Sequence, residues 1–449
     1  MNWIVLFSRG GVLTHIQDTG TAVTDLRIRD LKRASTERFK TPRGTASVYL
    51  DALRGLAAFG VLIHHWQDIF SFGDSSKFRR LSFEYWLHAF IGLGHQWVVV
   101  FFVMSGYLVG GTVLRSVADN RWSLSKYVLA RGTRLYIVLI PALFLGALID
   151  WSGIHFLHAA PLYSGQTDIA SVHFDVASRL NLSTGIENGF FLQTIRLPFT
   201  SNPIPTFGSN GPLWSLAYEL WFYVGFPLLV FTLRPAGRLS MRLSCLGLLV
   251  IWVFFTGPVI STLWLIWLLG VALHFMPPLS ANWNGFALPF ASIVLVAAVF
   301  FLKAAHPLGE MVGKVYWTDF VFGVVIAVFL YALIHWKGHT VPAYASSFAQ
   351  HAAASSYTLY LVHLPALIFL RGLLQPPGAW TRTAFDIKSA LLAIMIVISY
   401  AQLVYYLFER QTAQARHWLE ACFWETETVP TNATAQRGPG DGNGNKLAQ

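Results

Sequence analysis

The sequence predicts an all-α integral membrane protein of about ten transmembrane helices with both termini in the cytoplasm. Of its 449 residues, 54% are hydrophobic and only 12% are charged, a balance too apolar for an ordinary soluble enzyme. Runs of about 20 apolar residues recur along the chain, which is the length that crosses a bilayer as a helix. Basic residues are concentrated in alternate connections between these runs. Composition, run length and charge pattern therefore agree on a multi-pass membrane protein.

Ten apolar runs are candidate spans, and the boundary between the fifth and the sixth needs a specific reason. Gly257-Pro258 interrupts a long apolar stretch at 243–277. Because Pro breaks helical hydrogen bonding and the stretch is long enough for two crossings, we expect two short spans rather than one bent helix. The ten predicted spans are 48–67, 95–114, 127–149, 212–233, 243–260, 261–277, 285–303, 316–336, 354–374 and 388–408.

The positions of Lys and Arg predict which helix ends face the cytoplasm. Seven basic residues lie between positions 27 and 43, whereas the long third connection, at about 152–210, contains only Arg179 and Arg196. Since cytoplasmic connections are rich in basic residues, both termini are expected inside and the third connection outside. The net charge of +10 is thus mostly a topology signal. Because the basic residues are dispersed along the expected cytoplasmic edges, a nucleic-acid partner is not expected. The apolar spans predict that membrane lipids surround the protein.

Both ends of the chain differ in composition from the apolar centre. Residues 1–47 are expected to form a polar cytoplasmic segment, and 48–410 contain the predicted spans. Residues 411–449 are expected to be a largely disordered cytoplasmic tail, because the part beyond Trp424 lacks apolar side chains to pack. Cys245 and Cys422 are the only cysteines, so the sequence excludes a disulfide framework and a metal site built on cysteine.

Ionisable residues in the first span are the clearest indication of function. Titratable side chains inside a membrane are costly and face a bundle interior or a wet cavity. His65 follows Arg54 by 11 positions, so an α-helix places both side chains within roughly 20° of one face and about 16 Å apart along its axis. His64 lies about 80° from that face. This arrangement suits a site that holds a long substrate at two points.

Six short motifs follow one another along the chain. They are Asp51-Ala-Leu-Arg54 with His65, Val100-Phe-Phe-Val-Met-Ser105-Gly106, Arg131-Gly-Thr-Arg134, Trp214-Ser215-Leu-Ala-Tyr-Glu219 with Tyr223, Tyr360-Leu-Val-His363-Leu-Pro365, and Phe408-Glu409-Arg410. Each motif is weak alone. In this order, over about 48–410, they resemble the membrane acyltransferase-3 family, polytopic bacterial enzymes that move acyl groups onto sugars of cell-surface or secreted molecules.

The resemblance implies an activity, its substrates and a location. It implies a multi-pass enzyme of the bacterial cytoplasmic (inner) membrane that transfers an acyl group, usually acetyl, to a hydroxyl. Acetyl-CoA, or another acyl-CoA, would be the donor substrate, and no tightly bound cofactor is expected. A cell-surface or exported glycan, glycolipid or lipid-linked saccharide would be the acceptor. The third connection is then the expected lid or acceptor surface on the outer side.

Acyl transfer requires a base and groups that bind the donor, and four residues fit these roles. A sugar hydroxyl needs a positioned base, and neutral His is the best candidate near pH 7, so His65 is assigned as the base. Arg54 would neutralise donor phosphate or orient the thioester arm. Arg131 and Arg134 share a helix face at the mouth of the third span, where they would bind phosphate or serve only as positive-inside charge.

Six further residues are expected to support the site. Asp51 is three residues before Arg54 and would pair with its guanidinium. Glu219 is costly in an apolar run and would join a polar network. Ser105, Trp214 and Tyr223 are candidate donors to the developing oxyanion, although Ser105-Gly106 could equally belong to a helix-packing face. His363 precedes Pro365 by two residues, where a structural role is expected.

Two other functional classes are compatible with parts of the pattern. A polytopic transporter or channel without covalent chemistry would be expected to show repeat symmetry and polar residues across many spans. Here the polar residues concentrate in the motif-bearing helices, which favours an enzyme. The membrane-bound O-acyltransferase class is a nearer rival, but its characteristic His lies late in the chain. The sequence leaves open whether the acyl group is transferred directly or through a covalent acyl-enzyme.

Overall fold

The computed structural model describes residues 44–70, 82, 86, 90–157, 159–167, 169–197, 200–283, 285–305, 317–336, 341–374 and 387–424. These residues form helices joined by irregular segments, and no β-strand occurs among them. The α-helices are α1 Thr45–Phe70, α2 Gly94–Ala118, α3 Leu124–Phe156, α4 Ala160–Tyr163, α5 Val176–Arg179, α6 Leu182–Gly189, α7 Leu213–Leu233, α8 Leu239–Ala272, α9 Ala287–Ala305, α10 Trp317–His335, α11 Ala343–Ala354, α12 Ser356–Leu374, α13 Ile387–Leu407 and α14 Thr412–Trp424.

The predicted spans coincide with these helices to within a few residues at most ends. Eight stretches of the described chain are long and apolar enough to cross a membrane. In α9 the apolar stretch Ala287–Leu302 is shorter than those eight. The all-helical fold is therefore confirmed for the described residues, eight stretches of which could cross a membrane. The count of ten spans and the cytoplasmic location of both termini stay predictions.

The break predicted at Gly257-Pro258 is a reversal of the chain inside α8. Gly257 has φ 76° and ψ 178°, a backbone conformation that glycine adopts readily and that is not helical. The rings of Trp252 and Trp264 lie 4.7 Å apart, centroid to centroid. Twelve residues along a straight helix would separate them by about 18 Å. The two halves of α8 therefore run side by side in opposite directions, as two short spans would.

The second helix, α2, lies at the centre of the bundle. In its apolar window 72% of the residues are buried, the largest share of any candidate span. A Cβ added to Gly106 would lie 1.8 Å from the carbonyl oxygen of Trp267, and one added to Gly270 would lie 1.9 Å from that of Val103. Only glycine at both positions lets the backbones of α2 and α8 approach this closely. The small-residue face foreseen around Gly106 is thus a helix contact.

The third connection is held against the bundle by buried polar contacts. It begins after Phe156, because α3 continues past the boundary expected near 152. Asp150, almost completely buried, accepts hydrogen bonds from the backbone N–H of Ser209 at 2.8 Å and from its Oγ at 2.7 Å. A Cβ on Gly208, whose φ is 55°, would lie 2.3 Å from the Asp150 carboxylate. These contacts fix where the connection meets α3.

Besides the three short helices of the third connection, two helices correspond to no predicted span, and both ends of the chain lie outside the described residues. The short α11 precedes α12, and α14 occupies the first part of the segment expected to be a disordered tail. Residues 1–43 of the predicted polar segment 1–47, and 425–449 of the predicted tail 411–449, are not among the described residues. The cytoplasmic assignment of these segments stays a prediction.

Candidate functional site

Eighteen residues line a cavity of about 310 Å³ within the helix bundle. We call it the arginine cavity after its charged members. Its walls come from α1, α2, α3, α7 and α12, so it lies at the end of the bundle where α1, α3 and α12 begin. The lining residues are Arg54, Val98, Phe101, Phe102, Met104, Ser105, Leu108, Val109, Thr112, Arg131, Arg134, Ser215, Leu216, Glu219, Tyr223, Ser356, Tyr357 and Tyr360.

Three arginines and one glutamate are the charged residues of this lining. Arg54 projects from α1, and Arg131 and Arg134 project from one face of α3. Arg54 and Arg131 are half-buried, whereas Arg134 keeps more accessible surface where it lines the cavity. The Arg131 guanidinium carbon lies 5.6 Å from the centroid of the Tyr223 ring, within the range of a cation–π contact. The excess of guanidinium groups favours an anionic ligand.

Glu219 is the acceptor of a small hydrogen-bond network in the cavity. Ser105 Oγ donates to Glu219 Oε1 at 2.7 Å, and the Tyr223 hydroxyl donates to the same oxygen. Trp267 Nε1 in turn donates to Ser105 Oγ at 3.2 Å. Each hydroxyl has a single proton to donate, and both hydroxyls donate it in a hydrogen bond to Glu219. Ser105 and Tyr223 therefore support the wall of the cavity, and their protons are not directed at a developing oxyanion.

Glu409 is a second carboxylate beside the arginines, and it was not among the predicted site residues. Its Oε2 accepts from the Thr358 backbone N–H at 3.0 Å and from Thr358 Oγ1 at 2.5 Å. It is close enough to Arg134 and Arg54 to interact with their charges. The motif Phe408-Glu409-Arg410 was the sequence signal that could have identified it. Glu409 and Glu219 together balance part of the positive charge.

At the other end of the bundle His64, His65 and His363 form a group that we call the histidine cluster. The ring centroids of His65 and His363 are 5.2 Å apart, and those of His64 and His65 are 5.1 Å apart. His65 Nδ1 lies 3.0 Å from Ser171 Oγ of the third connection. His64 packs on α2, where a Cβ on Gly94 would lie 2.1 Å from His64 Cδ2. His65 is thus the member that meets both another imidazole and the connection.

His363 is completely buried, and its hydrogen bonds define its protonation. Its Nδ1 lies 2.8 Å from the carbonyl oxygen of Tyr360 and 3.1 Å from that of Leu359. Carbonyl oxygens only accept, so Nδ1 carries the proton and Nε2 has a lone pair. Nε2 is buried and has no hydrogen-bond partner among the described residues. This lone pair is available to a hydroxyl or water entering the cluster.

Pro365 explains why the connection docks on α12 beside His363. Because Pro has no N–H, the carbonyl of Leu361 lacks its usual helical donor. The Asn210 side chain supplies one, donating from Nδ2 to this carbonyl oxygen at 2.8 Å. The third connection therefore reaches the histidine cluster from two sides, through Asn210 and through Ser171.

The arginine cavity and the histidine cluster share no residue, and Tyr360 contacts both. Tyr360 lines the arginine cavity, whereas neither His65 nor His363 does. Its ring centroid lies 6.0 Å from that of His363, and its hydroxyl forms a 2.6 Å hydrogen bond with Ser215 Oγ. Ring contacts of 6.0 Å between Tyr360 and His363 and of 5.2 Å between His363 and His65 therefore link the cavity wall to the cluster.

Asp51 and Trp214 lie outside the arginine cavity. The expected ion pair between Asp51 and Arg54 is not formed, since no such pair within 4 Å occurs among the described residues. Arg54 instead lines the cavity, with its guanidinium more than 4 Å from the Asp51 carboxylate. Trp214 stacks on His95 with ring centroids 5.8 Å apart, and His95 Nε2 lies 2.8 Å from Asp319 Oδ2. Within the described chain no three His, Cys, Asp or Glu side chains are placed to hold a metal ion.

Comparison with known proteins adds evidence independent of this geometry. Residues 47–406 match the family model described as an acyltransferase domain. Staphylococcus aureus proteins from strains MRSA252 and COL, each named as a candidate O-acetyltransferase, are 21% identical over 411 residues, covering 85% of this chain and 59% of each relative. An uncharacterized protein of Haemophilus influenzae is 26% identical over 132 residues, 29% of this chain and 47% of that protein. The chain thus spans less than two thirds of these relatives. No solved structure matches it.

Proposed function

Because the chain belongs to the acyltransferase domain family, we propose that it is a membrane O-acyltransferase that uses acyl-CoA as donor. The acyl group proposed is acetyl, in agreement with the names of the Staphylococcus aureus relatives. The acceptor proposed is a hydroxyl of a cell-surface or exported glycan or glycolipid, and the location the bacterial inner membrane. The observation that carries the proposal is the meeting of the arginine cavity and the histidine cluster at Tyr360.

The arginine cavity has the chemistry needed to hold the donor. Coenzyme A carries its phosphates at one end and its thioester at the end of a long, thin arm. Arg131 and Arg134 offer planar guanidinium groups that bind phosphate in a bidentate manner. With the phosphates at α3, the arm extends past Arg54 and Tyr360 towards the cluster. The axial distance of about 16 Å between Arg54 and His65 is a distance that such an arm can bridge.

The histidine cluster has the chemistry needed for transfer. As the acceptor hydroxyl attacks the thioester carbonyl carbon, His65 takes the hydroxyl proton. The carbon–sulfur bond breaks and coenzyme A leaves as a thiolate, which receives the proton from His65. The products are the acyl ester and coenzyme A, and no other reactant is required. The buried Nε2 of His363 offers a second acceptor that orients the incoming hydroxyl.

Mass spectrometry of exported glycans tests the activity. Cells without the protein are compared with cells producing the wild type, His65→Gln or His173→Gln, at matched membrane levels. Ester-linked acetyl groups that mild alkali removes are expected with the wild type and with His173→Gln, because His173 is exposed in the third connection. They are expected to be absent with His65→Gln, which preserves shape but cannot take a proton. Equal acetylation in all four samples would refute the proposal.

A further inference from the structure

The third connection contributes a side chain to the histidine cluster, and an acidic residue of α1 holds it there. Ser171 lies in a single 3-10 turn, Ala170–Val172. Asp68 Oδ2 accepts from the Ser171 backbone N–H at 2.6 Å and from Ser171 Oγ at 2.5 Å. Asp68 follows His65 by three residues, so both side chains lie on one side of α1. Asp68, Ser171 and His65 therefore form a continuous chain of hydrogen bonds.

The proton positions in this series of hydrogen bonds follow from the number of protons that each group can donate. A carboxylate only accepts, and a serine hydroxyl has one proton. The Ser171 proton is donated to Asp68, so Ser171 Oγ is left with lone pairs towards His65. The 3.0 Å contact between His65 Nδ1 and Ser171 Oγ must then be a bond that Nδ1–H donates. A neutral imidazole has one N–H, so Nε2 of His65 carries the lone pair.

We propose that Ser171 and Asp68 are positioning residues that hold His65 in the tautomer with its proton on Nδ1. This inference rests on the proposed function, in which His65 takes the acceptor proton, because that step requires a lone pair on a nitrogen facing the substrate. Ser171 anchors Nδ1 at the wall formed by the connection and leaves Nε2 as the base. Asp68 acts one bond further away by keeping the Ser171 proton turned from the imidazole. In many enzymes a carboxylate bonds directly to a catalytic imidazole and orients it; here the Ser171 hydroxyl lies between the Asp68 carboxylate and the His65 imidazole.

The third connection thereby gains a role beyond that of the lid or acceptor surface expected from the sequence. With Ser171 bonded to His65 and Asn210 bonded to the Leu361 carbonyl, the connection also sets the geometry of the base. Removal of the Ser171 hydroxyl would free Nδ1. The proton could then move to Nε2, and the base would be blocked.

Nitrogen NMR of the full chain in lipid nanodiscs tests the tautomer without any substrate. The protein is labelled with ¹⁵N-histidine, and the His65 signals are identified by their loss in His65→Gln. Protonated and unprotonated imidazole nitrogens have well-separated shifts, so the wild type is expected to show a protonated Nδ1 and an unprotonated Nε2. Ser171→Ala is expected to shift protons to Nε2. Ser171→Thr keeps the hydroxyl and should restore the wild-type pattern.

A matched serine and the transfer assay complete the test. Ser183 is exposed on α6 in the same connection, and Ser183→Ala should change neither the spectrum nor the acetylation of exported glycans. Ser171→Ala should lower the acetylation rate about 10–100-fold, as losses of orienting partners commonly do. An unchanged His65 spectrum in Ser171→Ala would overturn the inference while leaving the proposed function standing. A shifted spectrum with full acetylation by His65→Gln would overturn the proposed function and keep the tautomer assignment.

Discussion

Under the proposed function the arginine cavity binds the donor, and its two α3 arginines allow a direct test. Arg131 and Arg134 line the cavity, and neither forms an ion pair within 4 Å with a described carboxylate. Hydrogen bonds to charged groups contribute about 1.5–3 kcal/mol each. We take the lower value because Arg134 is exposed, so the loss of either arginine should weaken binding about tenfold. The double Ala variant should bind up to about 100-fold more weakly, and less if the two sites are coupled.

Calorimetric titration of the purified protein in nanodiscs with coenzyme A measures this loss. Lys at both positions should recover only part of the affinity, since it keeps the charge but loses the planar fork. Arg238→Ala is the matched control, because Arg238 is exposed at the start of α8 and does not line the cavity. Unchanged affinity in the double Ala variant would mean that both arginines serve only as positive-inside charge. An equal loss with Arg238→Ala would show a non-specific charge effect.

Three further outcomes are expected. His65→Gln should lower the acetylation rate by about 10²–10⁴-fold, whereas His64→Ala should mainly lower the melting temperature and keep the activity per folded molecule; the reverse result would require a different helix phase. Gly106→Ala should prevent folding, since its Cβ would lie 1.8 Å from the Trp267 carbonyl oxygen, whereas Gly247→Ala, with nothing within 4 Å, should be neutral or stabilising by up to about 1 kcal/mol; normal insertion of Gly106→Ala in membranes would contradict the packing. Reporter fusions after Leu114 and after Trp424 should report the cytoplasmic side, and a fusion at Ser164 should report the outer side. Any other result would reject the predicted topology.

The features that the sequence predicted well depend on local chemistry. Apolar runs locate helices because the period and length of a membrane helix are the same everywhere. The reversal inside α8 was predictable because Gly257 and Pro258 are adjacent and each disfavours a continuous helix. The motif order placed Arg54, Arg131 and Arg134 in one site, and the structure brings all three to one cavity.

The features that sequence reasoning missed depend on contacts between distant segments. Ser171 meets His65 across 106 positions of chain, from an irregular turn without periodicity. The spacing of Asp51 and Arg54 favoured an ion pair, but a long guanidinium chain can equally extend into a cavity beside the helix. The partner of Ser105 was likewise not predictable, because Glu219 lies 114 positions away on another helix. The Tyr223–Glu219 bond spans only four positions of one helix, and helical spacing could have predicted it.

The position of Tyr360 has a consequence for the energy balance of the cell. A charged cavity near one end of a membrane protein and a polar cluster near the other would conduct protons if water joined them to each other and to both surfaces. Tyr360 stands between them, with its hydroxyl bonded to Ser215 and its ring at the edge of Phe101, centroid to centroid 6.0 Å. His363 behind it is fully buried. Under the proposed function, a packed layer of this kind would let the donor arm pass when bound and would otherwise insulate the bilayer, so that the electrochemical gradient is not dissipated between turnovers.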